Sequence, residues 1–448
     1  MALVPVEIVK SFSNNKRNFG ITLSNSPNGN VYWISQFSGN ITLEDDLILD
    51  ITTTNIILSQ IESDGEIVSV IPILRYVSQN DESQVVSLSI DKGENFYIAT
   101  SFINQVILPN NVSFTNRSVS SGTVPLKTTL IMKIDERGCF KYFVQIFGTD
   151  GDKFRISTDL EGNTYFISTM LEETTIIPNI KKNTITINNP NSFILMKIDT
   201  FGNISWILNG NGKSQGSDIT ILRNGNIAII GSFNNILTFG GSNISLSTSQ
   251  ILATTFIANI SSEGLVKRAI LIPILVPSPN LFTFGEGISS DLSGNLLITG
   301  EILGSFSFGN FPVAASLTEN LYVAKLTSDL REFLWVRLIR ADGDRLNRIF
   351  PSITSSIDGS GVSYGTFFTS TDAILGSNNN ELIIHLNSNE NLVTYRIDSD
   401  GRFTWAIFFP NTIESSSKPL ALEENVFITG SETISDSQSN AFLAILSR

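Results

Sequence analysis

Short apolar runs rich in Val, Ile, Phe and Thr alternate with polar turns along the whole chain, and long helical spacing is scarce. Residues 199–206, DTFGNISW, show the pattern, because one apolar run leads into them and a second follows. An acidic or hydroxyl turn with Gly between two apolar runs is typical of a β-hairpin. β-Branched and aromatic residues also favour strand. The chain is therefore predicted to be all-β.

Two hairpin motifs alternate along the chain. The first has an apolar run, an acidic or hydroxyl turn and, in most copies, Gly; besides 199–206 it occurs at residues 57–67, 130–140, 256–266, 322–333 and 393–403. The second leads into an apolar strand, in most copies through Gly-Asn or Glu-Asn; its copies are at residues 24–37, 89–102, 157–170, 221–233, 289–302, 354–367 and 420–431. Gly and Asn supply the positive φ that a tight turn needs. A spacing of roughly 65 residues indicates a repeat architecture.

The two motifs divide each repeat into four strands, which is the plan of a β-propeller blade. The last repeat has its third strand at residues 442–446 and lacks a fourth before Arg448, whereas residues 4–12 form a surplus strand. The N-terminal strand is therefore predicted to complete the last blade and close the ring. The prediction is one domain, residues 1–448, folded as a seven-bladed β-propeller of four-stranded antiparallel blades.

Two side-chain types recur at fixed places in the predicted blades. Aromatic residues occupy one place in the fourth strand, namely Tyr142, Trp206, Trp335 and Trp405. Packing between blades is the favoured interpretation, because aromatic side chains dominate core burial; an aromatic ligand ring is the alternative. Basic residues recur in the third strand, at Lys133, Lys197, Lys325 and Arg396, and are predicted to lie on a solvated face beside acidic neighbours.

The order of these motifs resembles the SBBP family of seven-bladed β-propeller repeats. In that family a blade runs from Asp and Gly-Asn through an apolar strand ending in Gly-x-Phe, then Phe-Gly, then an apolar-Ala-Lys-Leu strand and a Gly turn before Trp. Residues 226–233, 239–240 and 256–264 follow this order, as do 291–300, 308–309 and 322–335. Several copies lack Phe-Gly, and Arg331 replaces one turn Gly. The resemblance implies a propeller and carries no catalytic residues.

Composition narrows the function classes. Apolar residues make up 41% and charged residues 16%, so most of the chain must be packed. A formal net charge of −13 disfavours nucleic-acid binding. Cys139 is the single cysteine, so no internal disulfide forms. No signal-peptide pattern or bilayer-length apolar stretch is found, which predicts an intracellular protein without membrane insertion.

Candidate catalytic and metal motifs are weak. A triad would have to use His385, the single histidine, with residues 361–365, GVSYG, which fall on a predicted hairpin instead of a strand–turn–helix. Residues 210–214, GNGKS, lack the first glycine and the helix of a phosphate loop, and are predicted to be a loop between blades. Asp150-Gly151-Asp152 and Asp342-Gly343-Asp344 offer calcium-type oxygens, with turn formation as the favoured alternative. No catalytic, cofactor-binding or metal residue is predicted, and no cofactor.

The predicted function is therefore that of a non-enzymatic binding or structural module. The segments between the second and third strands, such as 103–128, 171–191 and 234–250, vary most and should emerge on one face. Blade packing does not explain this variation, so the segments are predicted to be loops free of packing, and their face is predicted to contact a protein or glycan partner. The rich use of Ile, Asn and Ser suggests an A/T-rich genome such as that of a large DNA virus, hence a structural or host-facing component of a virion or viral factory. The alternative is a glycosidase-like propeller enzyme with carboxylates in the central channel. No Asp or Glu pair stands out in the first strands, which offer mainly Ser and Thr.

Overall fold

The structure is a computed structural model, and it describes most of the chain. The described ranges are residues 6–12, 18–39, 41–42, 48–49, 54–77, 85–116, 126–179, 183–249, 252–275, 281–314, 320–341, 349–358, 360–376, 381–385, 391–410, 412–413, 418–422, 425–435 and 438–447. Every secondary-structure element in these ranges is a β-strand, which confirms the all-β class. Within the same ranges no helix is long and apolar enough to cross a membrane.

The strands run in chain order as follows. The first group comprises β1 (Val6–Phe12), β2 (Phe19–Asn25), β3 (Val31–Ser38), β4 (Ile41–Thr42), β5 (Ile48–Leu49), β6 (Thr54–Ile61), β7 (Ile67–Tyr76), β8 (Val86–Ile90), β9 (Phe96–Phe102), β10 (Gln105–Ile107), β11 (Ser113–Thr115), β12 (Thr128–Ile134) and β13 (Phe140–Thr158). The second comprises β14 (Thr164–Pro178), β15 (Ile185–Ile187), β16 (Ser192–Ile198), β17 (Ile204–Asn211), β18 (Ser214–Ile221), β19 (Ile227–Phe233), β20 (Ile236–Phe239), β21 (Ser245–Ser247), β22 (Thr254–Ile260), β23 (Val266–Leu271), β24 (Phe282–Ser290), β25 (Leu296–Leu303) and β26 (Ser305–Phe308). The third comprises β27 (Phe311–Ala314), β28 (Asn320–Leu326), β29 (Phe333–Ala341), β30 (Ile349–Ile357), β31 (Ser363–Thr369), β32 (Ala373–Leu375), β33 (Leu382–Ile384), β34 (Asn391–Ile397), β35 (Phe403–Pro410), β36 (Thr412–Ile413), β37 (Leu420–Leu422), β38 (Asn425–Ser435) and β39 (Gln438–Ser447).

The strands form a propeller-like arrangement of antiparallel sheets built on one repeated plan. A first strand pairs with a second, the second with a third and the third with a fourth, as in β18-β19-β22-β23 and β30-β31-β34-β35. The same plan is found in β2-β3-β6-β7 and β24-β25-β28-β29. Two further copies are joined into one sheet, because β13 serves as the fourth strand beside β12 and continues as the first strand beside β14.

The core lies between neighbouring sheets, as expected for blades packed face to face. One cluster of buried apolar side chains joins Tyr76 of β7 to Phe96 of β9, and another joins Ile230 of β19 to Ile298 of β25. A third contains Trp33 of β3 and Leu443 of β39, which come from opposite ends of the chain. The first strands contact their successors at the inner edge of this packing, for example β8 with β13 and β18 with β24.

The segments between second and third strands are not free loops, in contrast to the expectation from their variability. Most form hairpins that extend the fourth strand of the preceding sheet: β10 pairs with β7, β20 with β17 and β32 with β29, while the outer half of β14 pairs with β13. The β26–β27 hairpin forms a separate pair of strands and reaches the residues after β23 through a bridge between Ile274 and Phe306. Because the hairpins that pair with fourth strands cover otherwise exposed strand edges, packing explains these insertions.

The N-terminal strand pairs with the C-terminal one. β1 runs antiparallel to β39, with Val6 opposite Leu446 and Phe12 opposite Ala441. β39 in turn pairs with β38 along its whole length. Residues 4 and 5, which were included in the predicted surplus strand, lie outside the described residues.

Candidate functional site

The first strands face the central channel of a propeller, so their side chains are the natural place to look for a site. Three of these strands carry a β-bulge at the same place, between Gly20 and Thr22, between Gly216 and Asp218, and between Gly285 and Gly287. Bulges redirect side chains next to functional sites. The bulge residue of β24 is Glu286, and the residue after the bulge of β18 is Asp218.

Glycine precedes these bulges because the neighbouring blade packs against the backbone there. A Cβ on Gly216 would lie 2.5 Å from Cγ1 of Ile167, and one on Gly285 would lie 2.5 Å from Cγ1 of Ile230. A contact that short forces the chain to move. Close packing of each first strand on the second strand of the neighbouring blade thus fixes where Asp218 and Glu286 stand.

Asp218 is buried and holds two neighbouring strands together. Its Oδ2 accepts a hydrogen bond from the backbone N–H of Ile288 on β24, at 2.7 Å. It also forms an ion pair with Lys418, whose ammonium donates to the carbonyl oxygen of Ile288 at 2.8 Å. Lys418 lies two residues before β37, so this side chain ties the last sheet to β18 and β24. A buried carboxylate with a cationic partner and a backbone donor is fully compensated.

Glu286 has a different environment. In the described residues no side-chain hydrogen bond or ion pair joins its carboxyl group, and part of its surface stays accessible. Burial raises the pKa of Glu286 above its ordinary value; the positive charges of Lys153 and Arg155 offset part of this rise, and the charge of Asp218 adds to it. These first strands therefore hold one carboxylate fixed in an ion pair and one carboxyl group whose pKa is raised by burial.

Sequence reasoning missed both carboxyl groups, since it found mainly Ser and Thr in the first strands. A usable signal lies in the spacing to the tight turn. Thr22, Arg155, Asp218 and Gly287 all stand seven residues before a positive-φ turn glycine. Aligning the repeats on that glycine places Asp218 and Arg155 at one level of the channel, with Glu286 one residue away. Lys418 could not be found in this way, because its repeat lacks the turn glycine.

At the opposite edge of the blades, the recurrent aromatic residues pack between blades, as predicted. A Cβ on Gly264 would lie 2.8 Å from Cδ2 of Trp206, and one on Gly202 would lie 2.6 Å from Cγ of Tyr142. The indole N–H of Trp206 donates to the carbonyl oxygen of Ser262, at 2.9 Å. Each ring thus covers the third-to-fourth-strand turn of the next blade. Trp335 repeats the arrangement on Gly401 and on the carbonyl oxygen of Ser399.

Two of the four recurrent basic residues, Lys325 and Lys133, are paired with acidic residues, and for these two the predicted solvated face is wrong. Lys325 is 5% exposed and lies 3.2 Å from Oδ2 of Asp291. Lys133 lies 3.9 Å from Oδ2 of Asp91 and 4.9 Å from the centre of the Tyr97 ring. Burial lowers the pKa of Lys133, and Asp91 offsets part of that effect. These side chains fill the space between blades, where the acidic residue of the tight turn is within reach.

The seam between the first and last blades lacks this filling. At the positions of Asp91 and Tyr97 the last blade has Leu422 and Phe427, as its strand pairing shows. A small cleft results, lined by Gly29, Asn30, Val31, Gln60, Ile61, Glu62, Ser63, Leu422, Asn425 and Phe427. The amide of Asn425 closes it partly by donating to the carbonyl oxygen of Ser63, at 3.1 Å.

The structure separates the members of the hypothetical Ser-His pair. Ser363 is buried at the start of β31, whereas His385 is exposed and bonds through Nδ1 to Asp372, three residues past the other end of that strand. Seven strand residues span about 20 Å, too far for a nucleophile and its base. Residues 210–214 form the tight connection between β17 and β18, as predicted, without a helix.

The calcium-type motifs show turn chemistry where they are described. Asp150 accepts a hydrogen bond from the backbone N–H of Asp152, at 2.9 Å, and Asp152 is paired with Lys127. In the described ranges no three His, Cys, Asp or Glu side chains come together in a metal-binding group. Asp342-Gly343-Asp344 lies outside the described residues.

Comparisons with known proteins find only distant structural similarity. No family model and no curated protein matches it. Among solved structures it is similar to a member of the DUF4221 family from Bacteroides vulgatus, with 13% identity and a TM-score of 0.33, over 83% of this chain and 100% of that one. It is also similar to the extracellular domain of a putative one-component system from B. thetaiotaomicron, with 10% identity and a TM-score of 0.18, over 97% of this chain and 82% of that one. Similarity of this degree carries no conclusion about function.

Proposed function

We propose that the chain is one domain, a closed ring of seven four-stranded blades in which β1 serves as the outer strand of the last blade. The pairing of β1 with β39 supports the closure. The first strands also contact one another in a cycle, since β30 contacts β37 and β37 contacts β2. The resemblance of the motifs to SBBP repeats is the sequence basis of the same proposal. Pairing the chain ends removes an exposed strand edge.

Truncation tests the closure. A variant without residues 1–12 should expose the edge of β39, melt at lower temperature and associate, as seen by gel filtration. A truncated protein as stable and as monomeric as the full chain would contradict the ring.

We further propose that the protein is a non-enzymatic binding module whose insertion hairpins contact a protein partner. One observation carries this: apolar side chains recur on the hairpins while remaining more than a third exposed, namely Val112, Ile236, Phe311 and Ile383. Each sits at or beside a hairpin strand that is itself fixed to a blade, so the apolar groups are held in place before binding. The setting proposed from residue usage is a large-virus particle or factory, inside the cell.

The test is a paired substitution. The full chain carrying Ile236→Glu and Ile383→Glu should lose the partner that the unaltered protein captures. The matched control carries Phe201→Glu and Leu292→Glu, two exposed apolar residues on the tight turns. Equal melting temperatures would show that both variants fold. If only the control variant loses the partner, the contact lies on the tight-turn side. If the captured molecule is a glycan, the partner is a glycan and not a protein.

The second candidate function is that of a glycosidase-like enzyme acting in the channel. The observation that favours it is the contrast between Asp218, which is ion-paired with Lys418, and Glu286, whose pKa is raised by burial; carboxyl groups in such different environments divide the roles of base and acid. Asp218 already accepts a hydrogen bond from the N–H of Ile288 and is paired with Lys418. It could therefore act as a base only if Lys418 moved away. Hydrolysis of nitrophenyl glycosides that disappears in Glu286→Gln would establish this function, and absence of hydrolysis across the common sugars would remove it.

A further inference from the structure

The innermost strands carry a local excess of positive charge in an acidic protein. Three cations, Lys153, Arg155 and Lys418, stand at or next to one level of the channel with two carboxyl groups, Asp218 and Glu286. The whole chain has a formal net charge of −13. A positive centre inside a negatively charged protein concentrates anions, because low-dielectric walls focus the field.

Two of the cations are not neutralised by the described protein. In those ranges Arg155 donates only to the carbonyl oxygen of Phe154, at 2.9 Å, and no ion pair joins it or Lys153. A guanidinium has five N–H donors, so most of the Arg155 group remains for a ligand. Lys418, by contrast, is already engaged with Asp218.

A row of hydroxyl groups adjoins this level. Six of the first strands carry Ser or Thr two residues after the level of Arg155 and Asp218, namely Ser24, Ser89, Ser157, Thr220, Ser289 and Ser356. Some of these groups link neighbouring strands, such as Ser89, which accepts from the N–H of Thr158 at 2.9 Å. The hydroxyl oxygen of Ser289 is buried and has no hydrogen-bond partner in the described part of the chain. Ser289 stands three residues after Glu286 on β24, and a polar ligand would supply the hydrogen-bond partner that its hydroxyl group lacks.

We propose that the channel binds a small carboxylate or phosphate anion held by Arg155 and Lys153, with Glu286 and Ser289 beside it. The cations balance the charge of the anion through short, charge-assisted hydrogen bonds. The negative charge of a bound anion favours protonation of Glu286, whose carboxyl group then donates a hydrogen bond to the anion. The site depends on the ring architecture proposed above and is independent of the hairpin surface.

Calorimetric titration of the full-length protein with inorganic phosphate and with acetate tests the site, at ionic strength held constant with sodium chloride. Saturable binding of either ion is expected, and the ion that binds identifies the ligand as phosphate or carboxylate. Arg155→Met should weaken binding about tenfold, and Glu286→Gln should leave it equal or tighter. Arg223→Met, an exposed arginine on a tight turn, is the control and should change nothing.

Two results would overturn the site: no saturable binding of either ion, or equal binding by Arg155→Met and the unaltered protein. If Arg155→Met does not fold, the exposed Lys153→Met takes its place, with a loss of about threefold expected. The hairpin variant Ile236→Glu with Ile383→Glu should still bind the ion, which separates failure of this site from failure of the proposed partner surface.

Discussion

Neighbouring blades are joined in two different ways at their two ends. At the tight-turn end, an aromatic side chain of one blade covers a glycine of the next, as Trp206 covers Gly264. At the insertion end, a hairpin of one blade pairs through its backbone with the outer strand of the blade before it, as β20 pairs with β17. The first joint needs particular side chains, whereas the second needs only a strand. Sequence is therefore repeated at one end and free to vary at the other.

Two tight-turn joints lack the ring: Ser69 stands at the ring position before the turn of Gly138, and the other joint has lost its turn glycine as well. At the position of Trp335, the β22–β23 hairpin has Arg268, opposite Asn259. The turn that this residue faces has Leu330, with φ of 57°, where other turns have glycine. Without an aromatic ring above it, the turn accepts a side chain, and Leu330 is buried instead. A covering ring thus excludes a side chain from the turn, whereas a turn without a ring holds either Leu330 or a glycine such as Gly138 at positive φ.

The largest effect is expected from breaking the backbone joint. Replacing residues 236–247 with a Gly-Ser linker of equal length removes Leu237 and Phe239, both fully buried, and uncovers the edge of β17. Each large buried side chain is worth about 2–5 kcal/mol, so unfolding should become easier by more than about 4 kcal/mol in a urea melt. Ser245→Ala with Ser247→Ala, exposed positions of the same hairpin, should cost less than about 0.5 kcal/mol. A linker variant that is folded and as stable as the unaltered protein would mean that these segments are free loops.

The second-largest effect on stability is expected from breaking the side-chain joint. Trp335→Ala removes a ring that is 5% exposed and loses its hydrogen bond to Ser399, which should cost about 3–5 kcal/mol. Arg268→Ala, at the same place in a joint without a ring, should cost less than about 0.5 kcal/mol because Arg268 is exposed. Equilibrium denaturation of both variants measures the difference, and similar values for the two would mean that the ring does not hold the blades.

A pair of glycines separates backbone strain from contact with the ring. Gly225 has φ of 78° and open space around its Cβ position, whereas Gly264 has φ of 84° and faces Trp206. Gly225→Ala should cost about 1 kcal/mol from strain alone, and Gly264→Ala about 2–4 kcal/mol because overpacking adds to it. Trp206→Ala should then be less harmful in the Gly264→Ala background than alone, a coupling that a double-mutant cycle detects. Additive effects would contradict the contact.

These contrasts explain what the sequence could and could not predict. The tight turns, the four-strand plan and the aromatic positions were predictable because positive φ and a covering ring admit few residue types. The hairpins were mistaken for free loops because backbone pairing leaves no residue signature, and β15 and β21 are only three residues long. Lys325 was placed in solvent because a single sequence does not show that Asp291 comes from the adjacent turn. Asp218 and Glu286 could have been found from the sequence only by aligning the repeats on the turn glycine, and Lys418 could be found only from the structure.

The smallest predicted effect concerns Glu94, which stands at positive φ in the tight turn of β8–β9. Its carboxylate accepts hydrogen bonds from Ser26, Asn28, Asn30 and Tyr32 of the preceding blade, so this joint is built on charge instead of a ring. Burial alone would raise the pKa of Glu94, but the hydrogen bonds, led by that from Asn30, outweigh it and hold the pKa below its ordinary value. Glu94→Gln should therefore cost about 1 kcal/mol at neutral pH, since hydrogen bonds to a charged group are weakened.

The pH dependence gives this last prediction its sign. A carboxyl group whose pKa is lowered by folding contributes stability that is present above the unfolded pKa, near 4.5, and is lost as pH falls through the lower folded value. The difference in melting temperature between the unaltered protein and Glu94→Gln should thus be constant from pH 7 down to about pH 5 and should shrink below it. Glu161→Gln, an exposed residue of the corresponding turn, serves as the control and should show no such loss. A Glu94→Gln difference that persisted unchanged at the lowest pH at which the protein stays folded would mean that the joint depends on the shape of the side chain and not on its charge.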